Sequence, residues 1–223
     1  MRAAIFDMDG TLIDSLIFWE YLWCDLGAKF LHKEDFRPTQ ADDKAVRTLT
    51  MRDAMALIHS NYKIGPDPVW LWRYAEELLL DFYKTKVQRK PGVKTFLAHC
   101  RQRGIPMCIA SASSPELVHS ALEHCGIGEY FLKIFSCADL GFGKERPDVY
   151  LQAQAYMGAP VGQTWVFEDS LKALQTAAKA GFRTVGIYDR NNYGQEELKA
   201  TADCYIGPYE TLEFLLNNKK HIC

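Results

Sequence analysis

Short runs of consecutive apolar residues recur along the chain, and each run ends at a polar residue. The clearest run, Ala3-Ala4-Ile5-Phe6, ends at Asp7. Because apolar and polar positions do not alternate within the runs, the pattern indicates strands that are buried on both faces, as in a parallel sheet. Six runs fit, two of them more weakly (133–136 and 203–206): residues 3–6, 106–110, 133–136, 164–167, 184–187 and 203–206.

Segments with helical apolar spacing lie between these runs. Ser114 followed by Pro115 is typical of a helix N-cap and first turn, and Gly104 and Gly181 each follow a helical segment. Strands that alternate with helices predict right-handed βαβ units. The predicted fold class is therefore α/β, with a Rossmann-like parallel sheet as its core.

One region breaks the alternation. From residue 15 to about residue 87 no run resembles a strand, and helices are predicted over 16–26, over 42–59 and from Asp67-Pro68 toward Tyr83. We predict a helical cap subdomain over residues 15–87, inserted into a core of residues 1–14 and 88–223. Residues 86–90 then form a polar return linker that includes Lys90.

Composition narrows the class of protein. The 223 residues are 48% hydrophobic, which is enough for a sizeable core and too apolar for a disordered chain, and the net charge is −2. No block of one charge sign indicates a nucleic-acid or anionic membrane partner, and no stretch of 18 apolar residues indicates a membrane span. Nothing in the sequence indicates an oligomeric state.

Cysteine usage and the start of the chain bear on the compartment. The seven cysteines are odd in number and no pair has CxxC spacing, so a disulfide framework or zinc ribbon is disfavoured. Asp7 and Asp9 interrupt the first apolar run, so that run is not a signal peptide. We expect reduced thiols and a cytoplasmic protein.

The polar residues that follow the runs carry the candidate chemistry, because ligands bind beyond the carboxyl ends of parallel strands. Asp7 and Asp9 follow the first run, Ser111 follows the second, and Glu168 and Asp169 follow the run at 164–167. Up to four carboxylates at one edge of a sheet need a counter-charge. Carboxylate oxygens together with water and a substrate phosphate are what Mg²⁺ binds. These residues therefore indicate a magnesium site.

A lysine suits the phosphate that such a cation binds. Lys144 lies in a Gly143-Lys144 turn just before a predicted helix. Each signal alone has a plain structural reading: an aspartate at a strand end often caps a helix, Lys144 can be a surface lysine, and acidic residues such as Glu168 are favoured in a first helical turn. Their combination and order along one sheet favour phosphate chemistry.

Four segments carry a family resemblance. They are Phe6-Asp7-Met8-Asp9-Gly10-Thr11-Leu12-Ile13-Asp14-Ser15, Ile109-Ala110-Ser111-Ala112-Ser113, Gly143-Lys144-Glu145-Arg146-Pro147-Asp148 and Val166-Phe167-Glu168-Asp169-Ser170. In this order they resemble the four motifs of the haloacid dehalogenase superfamily of aspartyl-phosphate phosphohydrolases. The inserted helices resemble the cap of the subgroup that includes β-phosphoglucomutase and phosphoglycolate phosphatase. The dehalogenases themselves lack the acid that stands here at Asp9.

This resemblance implies roles for five residues. Asp7 would be the nucleophile that forms an aspartyl phosphate, and Asp9 would protonate the leaving oxygen and later activate water. The Ser111 hydroxyl, the Ala112 backbone N–H and Lys144 would bind phosphate oxygens. The implied function is hydrolysis of a small phosphate monoester, so the expected partner is a small phosphorylated metabolite.

The same resemblance implies the cofactor. Mg²⁺ would be bound by Asp7, by the backbone carbonyl of Asp9 and by Asp169, with Glu168 as a ligand directly or through water. Its charge would offset the repulsion between the nucleophile and the phosphate. The expected enzyme is therefore a Mg²⁺-dependent phosphatase of this family.

Other functions remain open from the sequence. A sugar phosphomutase of the β-phosphoglucomutase type has the same four motifs, but it carries a histidine where this chain has Trp19. Such mutases also carry a pair of basic residues in the cap. In this chain Arg47 matches one of the pair, and Met51 stands where the other is expected. A phosphate-binding protein without turnover would not need all the acids, and a receiver-like domain would not need the cap. Trp19, Arg47 and Arg52 are candidate substrate contacts in the cap.

Overall fold

The computed structural model describes residues 1–47 and 49–217. Its strands are β1 (Ala3–Phe6), β2 (Met107–Ser111), β3 (Lys133–Ser136), β4 (Thr164–Glu168), β5 (Arg183–Ile187) and β6 (Cys204–Ile206). They form one sheet in the order β3-β2-β1-β4-β5-β6, and every neighbouring pair is parallel. The predicted parallel α/β sheet is confirmed.

The central strands explain why their sequences are apolar without alternation. Every residue of β1, β2 and β4 is buried. Ile5 pairs with Cys108 on one side and with Val166 on the other. Phe6 pairs with Phe167, and their rings stack with centroids 4.3 Å apart. The carboxyl ends of β1 and β4 therefore lie side by side.

Residues 17–86 form a compact helical unit, within the predicted cap of residues 15–87. Its helices are α1 (Phe18–Leu26), α2 (Gln40–Val46), α3 (Met51–Tyr62) and α4 (Pro68–Thr85), with a π-helical turn at Gly27–Leu31. Asp67 caps α4 as predicted, because its side chain accepts the N–H groups of Val69 and Trp70 at 2.9 Å each. The inserted helical cap is confirmed.

The single helix predicted over residues 42–59 is wrong. Two helices cover this region, and α3 begins with a cap of its own, since the Thr50 hydroxyl accepts the N–H of Asp53 at 3.2 Å. The Thr39 hydroxyl caps α2 in the same way through the N–H of Asp42 at 3.2 Å. A threonine side chain that accepts a backbone N–H favours a helix start over a helix interior. Apolar spacing alone does not reveal this second start.

The other unit comprises residues 1–16 and the described residues from 87 onward. Its helices are α5 (Val93–Gln102), α6 (Pro115–His124), α7 (Cys137–Leu140), α8 (Asp148–Met157), α9 (Leu171–Lys179), α10 (Gln195–Thr201) and α11 (Phe214–Asn217), with 3₁₀ turns at Gly128–Tyr130 and Val161–Gln163. Among the described helices, none has the length and apolar character needed to cross a bilayer.

The strand order creates a crevice where ligands bind in sheets of this kind. The chain builds outward from β1 to β3 and then returns to β4 on the other side of β1. The order therefore reverses between β1 and β4, and open α/β sheets bind ligands beyond the carboxyl ends of the strands at such a switch point.

Candidate active site

Three carboxylates meet at the carboxyl ends of β1 and β4. Asp7 directly follows β1, Glu168 is the last residue of β4, and Asp169 follows it. The Asp7 N–H donates to the Phe167 carbonyl at 2.9 Å, which continues the pairing of the two strands and brings the acids together. One oxygen from each of the three lies within 4.8 Å of the others, and all three residues are buried.

Lys144 supplies a positive charge to this cluster. Its Nζ donates to Asp7 Oδ1 and, at 2.6 Å, to Glu168 Oε1. The lysine side chain is only 10% exposed. Burial alone would lower the pKa of Lys144, but the carboxylates of Asp7 and Glu168 raise that pKa above its usual value, so the lysine stays cationic. A surface role for Lys144 is excluded by this geometry.

One lysine does not balance three buried acids. Burial raises the pKa of Asp7 well above its usual value, although Lys144 opposes the shift. Burial and then Glu168 raise the pKa of Asp169 to about 7. Glu168 Oε2 is buried and has no hydrogen-bond partner within the described residues. Crowded oxygen donors, excess negative charge and an unpaired carboxylate oxygen fit a hard divalent cation such as Mg²⁺.

Gly10 lets the first loop approach this cluster. Its φ is +73°, and a Cβ there would lie 2.3 Å from Asp169 Oδ2. Both the left-handed backbone and the lack of space exclude a larger side chain. Gly10 is thus required because the loop that follows β1 approaches Asp169 closely.

Two serines hold the carboxylate of Asp9. The Ser15 hydroxyl donates to Asp9 Oδ1 at 2.7 Å, and the Ser113 hydroxyl donates to Asp9 Oδ2 at 2.8 Å. Both serines lie within the quoted motifs, but sequence reasoning assigned neither of them a role. The sequence signal that could have identified them is a hydroxyl side chain within a motif, since Ser15 lies in the segment after β1 and Ser113 in the segment after β2.

The predicted phosphate-binding residues of the second motif lie at the end of β2. Ser111 is the last residue of the strand and is buried, and Ala112 follows it on the surface. The Ser111 hydroxyl accepts the N–H of Ser113 at 3.0 Å, and the Ser136 hydroxyl donates to the Ser113 carbonyl at 2.8 Å. Side-chain contacts thus brace this turn at the strand next to β1.

Three contacts to the acidic cluster lie outside the predicted set. The buried Tyr150 hydroxyl donates to Glu168 Oε1 at 2.7 Å. The Thr11 hydroxyl donates to Asp169 Oδ1 at 3.3 Å, and the Asn192 side-chain amide donates to Asp169 Oδ2 at 2.7 Å. Tyr150 and Asn192 have no sequence signal of their own, since only the fold brings α8 and the loop after β5 to the acids.

The candidate substrate contacts lie in the helical unit, where their roles stay predictions. Arg47 pairs with Asp43, with its Nε 2.8 Å from Oδ2. The Trp23 indole N–H donates to Asp43 Oδ1 at 3.0 Å, and the Trp19 ring lies 5.5 Å from that of Trp23. The Arg52 guanidinium lies over the Trp72 ring at 5.4 Å. These contacts orient the side chains within their own unit.

Comparison with known families decides the membership of the chain. Residues 1–181 match the model of one family, described as haloacid dehalogenase-like hydrolase. The chain belongs to this family. The match includes both elements that carry the acidic cluster, and the resemblance of the four motifs is thereby confirmed.

Known relatives agree with this membership. Fructose-1-phosphate phosphatase YqaB from Escherichia coli is 27% identical over 183 residues, which cover 82% of this chain and 94% of that protein. A phosphorylated carbohydrates phosphatase from Thermotoga maritima is 23% identical, covering 96% of this chain and 98% of that protein. The predicted enzyme, a hydrolase of this family with phosphatases among its relatives, is confirmed.

A solved structure agrees in fold. A provisionally assigned β-phosphoglucomutase from Thermotoga maritima superimposes with a TM-score of 0.81 and covers 99% of both chains. Its sequence identity is 21%, so the comparison shows the fold alone.

Proposed function

We propose that this protein is a Mg²⁺-dependent phosphatase that hydrolyses a small phosphorylated sugar through an aspartyl phosphate on Asp7. The observation that carries the proposal is the buried contact of Lys144 with Asp7 and Glu168 beside Asp169. Lys144 opposes the rise in the pKa of Asp7 that burial causes, and so it favours the ionised form that a nucleophile needs. The names of the phosphatase relatives support a sugar phosphate as the substrate class.

The proposed reaction has two displacements. An oxygen of Asp7 attacks phosphorus while Asp9 gives its proton to the departing alkoxide, which leaves a phosphoryl group on Asp7 and an ionised Asp9. Asp9 then takes a proton from water, whose oxygen attacks phosphorus and releases inorganic phosphate and the Asp7 carboxylate. The hydroxyls of Ser15 and Ser113, which donate to the two oxygens of Asp9, would orient this carboxylate for both proton transfers.

The remaining residues bind and screen charge. The Ser111 hydroxyl, the Ala112 N–H and the Lys144 ammonium would hold phosphate oxygens as charge shifts between them. Asp7, Glu168 and Asp169, with the backbone carbonyl of Asp9, would hold Mg²⁺. That ion, when bound, supplies charge that offsets the repulsion between the nucleophile and the phosphate.

The substrate proposal is tested by phosphate release across a panel. We expect turnover with sugar monophosphates to exceed turnover with phosphoglycolate and turnover with an aryl phosphate. A parallel assay follows interconversion of sugar phosphates in the presence of a sugar bisphosphate. Isomerisation that outpaces phosphate release would assign the protein to the phosphomutases instead, and no turnover of any monoester would refute the phosphatase.

We expect phosphate release to stop in excess chelator and to return with Mg²⁺ but only weakly with Ca²⁺. Mg²⁺ enforces near-octahedral geometry, whereas Ca²⁺ takes more oxygen ligands and would occupy both oxygens of Asp7. The measurement is the initial rate after dialysis against chelator and addition of each metal chloride. Full turnover in excess chelator would contradict the role proposed for the acidic cluster.

The thiols favour a cytoplasmic location for this enzyme. None of the cysteines within the described residues forms a disulfide, while Cys223 lies outside those residues. Burial raises the pKa of the Cys108 thiol to about 11, which keeps it protonated and unreactive. A reducing compartment suits such a chain, and cell fractionation would test the location.

A further inference from the structure

The side-chain amide of Asn192 makes two contacts to one residue, Asp169. Its Nδ2 donates to Asp169 Oδ2 at 2.7 Å and to the Asp169 backbone carbonyl at 3.1 Å. The NH₂ group thus contacts both the side chain and the main chain of the same acid. Together with the Thr11 hydroxyl at 3.3 Å from Oδ1, these contacts define how the Asp169 carboxylate is turned.

The orientation of the amide is fixed from its other end. Asn192 Oδ1 accepts the N–H of Tyr193 at 2.8 Å. An amide turned by 180° would face two acceptors with its oxygen and an N–H with its NH₂ group, so only the observed orientation satisfies every contact. Asn192 therefore acts as a donor toward Asp169.

The loop that carries Asn192 is anchored by a buried ion pair. Asp189 is 2% exposed, and its Oδ2 lies 2.8 Å from Lys90 Nζ, which also donates to the Tyr188 carbonyl at 2.8 Å. Asp189 Oδ1 accepts the N–H of Asn191 at 2.8 Å, and the Asp189 carbonyl accepts the N–H of Asn192 at 3.2 Å. Lys90, which lies in the predicted return linker, therefore also supports this loop.

Helix capping does not account for the position of Asn192. The next helix, α10, begins at Gln195, and its N-cap position is Gly194. The amide of Asn192 lies before that cap and is directed at Asp169 instead. Both contacts of its NH₂ group are made to Asp169.

We propose that Asn192 is a positioning residue that holds Asp169 in the orientation needed to bind the divalent cation. The inference rests on the proposed metal site. A neutral amide suits this task, because it restrains the carboxylate without supplying a positive charge that would compete with the cation. Residues that hydrogen-bond to a ligating carboxylate set metal affinity although they do not touch the metal.

The test measures Mg²⁺ affinity directly. Mg²⁺ is titrated calorimetrically into the metal-free full chain, without substrate, for the wild type, Asn192→Ala and Asn192→Leu. We expect both variants to bind Mg²⁺ about 10–100-fold more weakly, and the Mg²⁺ concentration for half-maximal phosphate release to rise with kcat at saturating Mg²⁺ little changed. The leucine variant fills the volume of the amide, so a result shared by both variants reflects the lost donor.

Asn191→Ala is the matched control, since it changes the neighbouring amide of the same loop and keeps the backbone N–H that binds Asp189. We expect its Mg²⁺ affinity to equal that of the wild type. Folded Asn192 variants with wild-type Mg²⁺ affinity would overturn the inference, as would an equal loss in Asn191→Ala. A wild type that binds no Mg²⁺ would refute the metal site itself, and inactivity toward sugar phosphates alone would leave the binding result standing.

Discussion

Lys144→Ala is expected to lower kcat/KM for a phosphate monoester by about 10²–10³, the usual cost of losing one preorganised charge contact in an active site. Two effects add in this variant. The phosphate loses a cationic partner, and Asp7 loses the charge that opposes its burial, so the nucleophile is protonated more of the time. The measurement is steady-state kinetics at saturating Mg²⁺, with circular dichroism to check folding.

The control for this variant has to be a lysine without a structural partner in the site. Lys90 is unsuitable, because it is largely buried and paired with Asp189. Lys179 is exposed in the last turn of α9, and Lys179→Ala should keep wild-type activity. If Lys144→Ala unfolds, Lys144→Gln keeps most of the volume and tests the charge. Equal rates for Lys144→Gln and Lys179→Ala would show that the charge at residue 144 has no role in turnover.

The strands β1, β2 and β4 are predictable from the sequence because every residue in them is buried. A strand covered on both faces must be apolar throughout, and the polar residue that follows it marks its carboxyl end. The sites of Asp7, Ser111 and Glu168 follow from that rule alone. The separation of α2 from α3 does not follow from that rule. The start of α3 depends on the cap formed by the Thr50 hydroxyl, and the residues on either side of it suit a helix.

The supports of the site are the part that sequence could not predict. Lys90 follows the cap in the chain and Asp189 follows β5, and nothing local in either segment indicates a buried ion pair. Asn192 and Tyr150 likewise reach the acids only through the strand order. Residues that ligate or react are recognisable by type and spacing, whereas the residues that orient them are defined by contacts across the fold.

Substitutions of Asp7 and Asp9 should impair phosphate release at different steps. Asp7→Asn removes the nucleophile, so no phosphoryl group can form on that residue. Asp9→Asn keeps the nucleophile and removes the acid and base. With an aryl phosphate the leaving group needs little protonation, so the first step survives in part, whereas the second step lacks a base for water and should slow by about 10²–10⁴.

Asp9→Asn should therefore release aryl alcohol in a burst near one equivalent, followed by a slow steady state. Rapidly acid-quenched protein should carry an added phosphate mass that maps to Asp7, and Asp7→Asn should show neither burst nor added mass. The asparagine at residue 9 should be tolerated, because the Ser15 and Ser113 hydroxyls that hold Asp9 can also accept hydrogen bonds.

Asp14→Asn is the control within the same segment. Asp14 is partly exposed, and its Oδ2 lies 3.7 Å from a guanidinium nitrogen of Arg190, so Asp14→Asn should keep the steady-state kinetics of the wild type and should not accumulate the added phosphate mass. Phosphate that maps to residue 9, or identical kinetics for Asp7→Asn and Asp9→Asn, would contradict the proposed division of roles. In that case Asp9 would not transfer the proton, and the hydrogen bonds from Ser15 and Ser113 to its carboxylate would need another explanation.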